Sequence, residues 1–347
     1  MTLQTLLDIE LPIIQAPMAG VQDSALTLAV SNVGGLGSLP CAMLSNDALD
    51  KALTTLRSQT NKPYNLNFFC HASPAPQSGQ EAAWRKLLAP YYNEYGLDRE
   101  AIPKPPERRP FSHATADRVE AFKPAVVSFH FGLPNKTLLA RVKSCGSKII
   151  ATATTLDEAL FLEAAGVDAI IAQGLEAGGH RGHFLSDDLG KQAGLFALLP
   201  QIVKAVKLPV IAAGGIVDAQ GVKAARALGA AGVQAGTAYL LCPESTTSPL
   251  HRAALKSHAA RETALTNIFS GRAARGITNR AIKELGPLNQ SAPAFPLAST
   301  PMAALRSAAE KQGSSDFSPL WCGQSAPACK EISAAEITRS LASTLAL

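Results

Sequence analysis

Short, nearly unbroken apolar runs recur along the chain, each closed by turn residues and followed by a stretch of helical periodicity. The runs cover residues 11–18, 35–39, 64–70, 125–131, 148–153, 169–173, 209–213 and 232–240. Strands that alternate apolar and polar positions have one wet face; continuous apolar strands are buried on both, as in parallel sheets covered by helices. Between the runs, residues 24–32, 47–58, 135–144, 156–165, 195–206 and 219–228 read as helices, the first opened by Asp23-Ser24 as an N-cap pair. Leu162-Glu-Ala-Ala-Gly-Val-Asp-Ala-Ile-Ile and Ala227-Leu-Gly-Ala-Ala-Gly-Val-Gln-Ala-Gly each read as a helix end, a glycine stop and a strand. Eight such alternations predict an α/β fold, a (β/α)8 TIM barrel in preference to a doubly wound sheet. Two segments break the repeat. Residues 72–112, rich in Pro, Gln and charge around Tyr91, Tyr92 and Tyr95, form a long insertion after the third strand. Residues 241–320 carry helical Ala/Arg/Lys stretches and a Pro-rich stop. The expected division is therefore a barrel over 1–240, a small helical subdomain over 241–320 covering its mouth, and a C-terminal segment, 321–347, returning to the barrel.

Composition narrows the class without choosing a chemistry. The 347 residues are 47% apolar and 17% charged, enough to bury a full core. A net charge of +5 falls short of the basic face a nucleic-acid partner demands, so none is expected. Cys41, Cys70, Cys145, Cys242, Cys322 and Cys329 are scattered, with no Cys-x-x-Cys, which points to thiols in a reducing compartment. The N-terminus has acids in place of a basic start and no cleavage site, and no apolar run reaches the ~18 residues of a membrane span. A cytoplasmic protein without a membrane partner is expected.

Barrel active sites lie at the C-terminal strand ends, and the unusual residues of this chain fall there. They are Gln15-Ala-Pro-Met18-Ala-Gly20, Asn65-Leu-Asn67-Phe-Phe-Cys-His71, Ser128-Phe-His130-Phe-Gly132 and Gln173-Gly-Leu-Glu176-Ala-Gly178-Gly179-His180-Arg181-Gly182-His183. The seventh and eighth predicted strands end in Gly214-Gly215 and in Gln234-Ala235-Gly236-Thr237. Glycines at those two tips let backbone N–H groups approach an anion, the usual place for a phosphate in this fold; the competing reading is a pair of tight turns. Gly34-Gly35-Leu36-Gly37 imitates a dinucleotide fingerprint but runs into Pro40 and enters a strand instead of leaving one, so it is set aside.

These residues resemble the nitronate monooxygenases, formerly 2-nitropropane dioxygenases, which are FMN-dependent TIM-barrel enzymes. The likeness rests on the strand-end motifs above and on Phe269-Ser-Gly-Arg-Ala-Ala-Arg-Gly276 and Leu320-Trp321-Cys-Gly-Gln324, and it covers most of the chain. It implies a flavoprotein that oxidises propionate 3-nitronate and alkyl nitronates with molecular oxygen to carbonyl compounds, releasing nitrite or nitrate. It puts His180 in the catalytic position and FMN contacts at Met18, Asn67, Gln173, Gly178, Gly215, Gln234, Ala235, Gly236 and Thr237. Gly178 and Gly179 would keep side chains off the flavin face. The tyrosine and lysine that such enzymes bring to the substrate from the late subdomain have no counterpart in Phe295-Pro-Leu-Ala-Ser-Thr-Pro-Met302.

His130 ends a strand facing the mouth and reads equally as a substrate or flavin contact and as a hydrogen-bonded structural group. His71 is either a loop residue over the flavin or a strand-end polar group. His183, near Asp187 and Asp188, lacks a third fixed ligand on a glycine-rich loop, so no metal is expected. His113, His251 and His258 are expected at the surface. Arg272 and Arg275 could meet a ligand carboxylate or phosphate, but a solvated helix face is the expectation. Two other functional classes stay open: an NAD(P)H-dependent reductase of quinones or enoyl thioesters on the same barrel, and a non-redox phosphate-binding barrel.

Overall fold

The computed structural model of the chain describes residues 1–75, 78–98 and 108–345. Eight parallel strands form the barrel: β1 (Ile13–Gln15), β2 (Gly37–Pro40), β3 (Tyr64–Phe69), β4 (Val126–His130), β5 (Lys148–Ala153), β6 (Ala169–Gln173), β8 (Val210–Ala213) and β9 (Gly232–Ala235). β7 (Gly179–His180) stands outside it in a second sheet with β10 (Thr263–Thr266) and β11 (Ala274–Ile277). The barrel runs in sequence order from β2 to β9, then to β1, and a parallel bridge between Ile14 and Leu36 joins β1 to β2. All eight predicted strands are present, so the (β/α)8 expectation holds. The last predicted strand ran too long: pairing stops at Ala235, and Thr237–Tyr239 turns into a 3-10 helix.

Both faces of the strands are dry. Residues such as Val127, Ile149, Ile170 and Val233 pack outward against the helices, while Ile14, Leu36, Ile150, Ile171 and Ile211 fill the barrel. Leu3, Leu6 and Leu7 of the N-terminal helix join that inner cluster and plug its lower end. The opposite end is left free for polar groups. The helix that belongs after β9 is deferred for almost a hundred residues; Ala334–Ala342 then fills its place, with Ile337 and Leu341 in the outer core and Thr338 Oγ1 2.9 Å from the Tyr239 hydroxyl.

The intervening segment is not wholly helical. Helices Pro249–Lys256, Arg280–Leu285 and Ser299–Lys311 are joined by the β10–β11 hairpin. This corrects the helical expectation for 241–320, and the reason is tertiary: β11 is a strand because it pairs with β7, Ala274 opposite His180 and Arg275 opposite Gly179. The early insertion does not stand alone either. Trp84, Leu88 and Tyr92 of helix Ser78–Glu94 share one core with Ile268, Ile282, Leu305 and Phe317. Tyr92 also donates its hydroxyl to the Pro301 carbonyl at 2.7 Å. The two irregular segments thus form one cap over one side of the mouth.

Candidate active site

The strand-end motifs converge on one large cavity, about 1460 Å³ of space including its open mouth. Met18, Asn67, His130, Gln173, Gly178, His180, Gly215, Gln234, Ala235, Gly236 and Thr237 all line it. The cap adds Arg108, His251 and Trp321 to its wall.

A buried polar scaffold holds these tips. Gln15 and Gln22 brace the β1 loop: Gln15 Nε2 donates to Gln22 Oε1 at 2.8 Å, Gln22 Nε2 to the Ser38 carbonyl at 2.7 Å, and the Met18 N–H to Gln22 Oε1 at 2.7 Å. Asn65 and Asn67 each donate to Ser128 Oγ at 2.9 Å, tying β3 to β4. The β6 loop is held hardest. Arg181 is fully buried and donates to the carbonyls of Gly174 (2.6 Å) and Gln173 (2.7 Å) and to Gln192 Oε1 (2.8 Å). Gln173 closes the loop on itself, donating to the His180 carbonyl at 3.1 Å and accepting from the Gly182 N–H at 2.8 Å.

His180 projects from β7 with Nε2 2.8 Å from Ser270 Oγ. Ser270 Oγ–H donates a hydrogen bond to the Arg272 carbonyl at 3.3 Å, which leaves an oxygen lone pair to accept from Nε2–H and frees Nδ1 as a base. The ring sits among Phe295 (5.4 Å between centroids), Trp321 (5.6 Å) and Phe131 (6.0 Å). Burial, then the positive charge of Arg108, pushes its pKa well below the ordinary histidine value. It is therefore a neutral imidazole at pH 7.

His130 is hydrogen-bonded within the protein. Its Nε2 meets the His180 carbonyl at 3.2 Å, and a carbonyl only accepts, so Nε2 carries the proton and Nδ1 accepts from Thr152 Oγ1 at 3.1 Å. Both ring nitrogens are used, and burial lowers its pKa to about 3. His183 Nε2 lies 3.3 Å from Asp187. His71 is buried against Phe295. His113 and His258 are exposed, as expected.

Three expectations need correction. His251 is buried on the cavity wall, not at the surface, because the cap folds its helix inward; burial lowers its pKa to about 4. Arg272 and Arg275 do not lie on a solvated helix. Arg275, on β11, donates through Nε to the Leu175 carbonyl at 2.8 Å, and Arg272 lays its guanidinium over the Phe131 ring at 4.3 Å while donating to the His183 carbonyl. Glycine at 178 also has a packing reason. A Cβ there would fall 2.3 Å from the Cys322 backbone carbon, so close chain packing requires it; at Gly179 the requirement is a φ of +69°, with open space around it. Ser270, Phe295 and Arg108 escaped sequence reading because their meaning comes from distant neighbours.

Buried neutral histidines make stability depend on pH in a definite direction. Folded values near 4 for His251 and His183 lie below the unfolded ~6.5, so the unfolded chain binds more protons as pH falls. Their contribution is complete above about pH 6.5 and is lost on acidification towards 4. Urea unfolding should therefore show each group removing on the order of 1–2 kcal/mol between pH 7 and pH 5. His251→Gln should flatten that slope; an unchanged slope would contradict the assignment.

The barrel is shared with proteins of known type. A family model for nitronate monooxygenase matches residues 1–344. The chain belongs to the nitronate monooxygenase family. It is 43% identical over 343 residues to a nitronate monooxygenase of Paraburkholderia phytofirmans, spanning 97% of this chain and 92% of that one. It is 40% identical over 348 residues to a nitronate monooxygenase of Pseudomonas aeruginosa, spanning 98% and 97%. Among solved structures, nitroalkane oxidase from Streptomyces ansochromogenes superposes with a TM-score of 0.89 at 38% identity, covering 99% of this chain and 97% of that one. Members of the nitronate monooxygenase family are flavin-dependent oxidoreductases, and oxidation of nitronates is the chemistry they share. No helix among the described residues is long and apolar enough to cross a membrane.

Proposed function

We propose that this chain binds FMN and oxidises propionate 3-nitronate and alkyl nitronates with molecular oxygen, giving carbonyl compounds and nitrite or nitrate. The observation that carries this reading is a half-buried His180 facing a cavity whose far wall is lined by the glycine-rich ends of β8 and β9. That wall fits FMN. The N–H groups of Gly215, Gly236 and Thr237 donate to no carbonyl among the described residues, and the Gln234 Oε1 atom is buried without a partner. Glycines 214 and 215, at φ +118° and +71°, keep that rim bare. Gly215, Gly236 and Thr237 would hold the phosphate, Gln234 a ring N–H, and Met18, Asn67, Gln173, Gly178 and Ala235 would bound the ring.

A bound flavin would supply the electron acceptor that links nitronate oxidation to oxygen. The protein's own share is positioning. His180 Nδ1 takes the α-proton of a neutral nitroalkane, or, once the imidazole holds that proton, donates to an anionic nitro oxygen. Ser270 fixes which ring nitrogen faces the substrate, and Phe131, Phe295 and Trp321 keep water from the reacting carbon.

The purified protein should be yellow, with FMN released on denaturation, and should consume oxygen on addition of propionate 3-nitronate. A colourless protein that fails to take up FMN would overturn the reading in favour of a non-redox phosphate-binding barrel. Rapid anaerobic bleaching by NADH or NADPH would overturn it in favour of a nucleotide-dependent reductase.

A further inference from the structure

Arg108 lines the cavity but has no task in the chemistry assigned to His180. Arg108 ends the early insertion, three residues before Phe111. Phe111 is locked to the barrel: its N–H donates to the Phe69 carbonyl at 2.8 Å, and its ring packs on Phe68 at 4.9 Å and Phe129 at 5.2 Å. The guanidinium carbon of Arg108 lies 5.5 Å from the Phe295 ring centroid, and the same ring is 5.4 Å from His180. Arg108 and His180 therefore border one aromatic ring, with the cavity beside both. The Arg108 Nη1 atom is buried and has no hydrogen-bond partner among the described residues. The neighbouring His71 ring lies 4.8 Å from Phe295.

An arginine stays protonated in such surroundings, and a guanidinium N–H buried without an acceptor is costly. Among the described residues the charge that acts on Arg108 is another cation, Arg306, itself paired with Glu310 at 2.7 Å. The guanidinium fork matches a carboxylate in shape and charge. A tail carboxylate is what distinguishes propionate 3-nitronate from a plain alkyl nitronate.

Resting on the nitronate reading, we propose that Arg108 is a specificity-determining residue, its guanidinium holding the carboxylate of a nitronate that carries one while the nitronate end lies against His180. This gives the chain an anchor from the early insertion where the late subdomain offers neither tyrosine nor lysine in Phe295-Pro-Leu-Ala-Ser-Thr-Pro-Met302. Alkyl nitronates leave the guanidinium unpaired and are the poorer substrates.

The test compares kcat/KM for propionate 3-nitronate and propyl-1-nitronate in wild type, Arg108→Met and Arg108→Lys. Arg108→Met should lower the ratio of the two by about 30- to 100-fold, as expected for losing charge-assisted hydrogen bonds. Arg108→Lys, which keeps the charge without the fork and guards against a folding defect, should fall in between. A ratio unchanged within about threefold, whatever the absolute loss, would overturn the proposal. Succinate, a non-reacting dianion of similar length, separates this outcome from failure of the nitronate reading. Calorimetry should show it binding wild type at least 30-fold more tightly than Arg108→Met, even if neither nitronate is oxidised. Equal binding to both would overturn the anion site itself.

Discussion

His180→Asn is expected to lower kcat/KM for neutral nitroalkanes by about 10²–10⁴-fold, the range over which general bases act, and to affect preformed nitronates far less. Only the neutral substrate must give up an α-proton, and an amide cannot take it. An anionic nitronate needs only a polar contact, which asparagine retains. The wild-type pH profile should carry the same signature. Burial and Arg108 hold His180 below its usual range, so the base stays unprotonated as pH falls from 7 to 6 and activity on nitroalkanes should not decline there. Steady-state rates on matched pairs, such as nitroethane and ethylnitronate, decide the matter. Equal losses on both members would remove proton abstraction from the role of His180.

Arg181→Met is expected to cost about 3–5 kcal/mol in urea unfolding, since each buried acceptor left without a donor costs about 1–3 kcal/mol. The methionine fills much of the volume but leaves three buried acceptors, the Gly174 and Gln173 carbonyls and Gln192 Oε1, without donors. Because Gln173 and Arg181 together shape the loop that presents His180, activity should fall as well, even where the variant remains folded. A loss under about 1 kcal/mol would show that water reaches those acceptors and that the loop draws its order from the β7–β11 pairing instead.

The contrast between these residues shows what a sequence carries. His180 stood out because it follows two glycines at a strand end, a local pattern. Arg181, beside it in the same motif, gave no sign of being fully buried, since its acceptors lie along a loop that folds back on itself. Ala/Arg composition favours helix around Arg272 and Arg275, but pairing of Ala274 and Arg275 with β7 overrides that propensity. His251 and Arg108 lie 143 positions apart in the chain yet on one wall. No local pattern records such a meeting.

By itself the sequence determined the barrel and the end of it that holds the chemistry. Continuous apolar strands of β1–β6, β8 and β9 must be covered on both faces, and their periodicity is written in adjacent residues. The glycines and polar residues at their ends could then lie nowhere but at the mouth. Only the tertiary structure decided how the mouth is furnished. It joined the early insertion to the late segment through a shared core, drew β11 against His180, and set Arg108 beside Phe295 with its Nη1 unmatched among the described residues. These outcomes depend on contacts between residues tens to hundreds of positions apart, where burial and pairing outweigh the preferences each segment has alone.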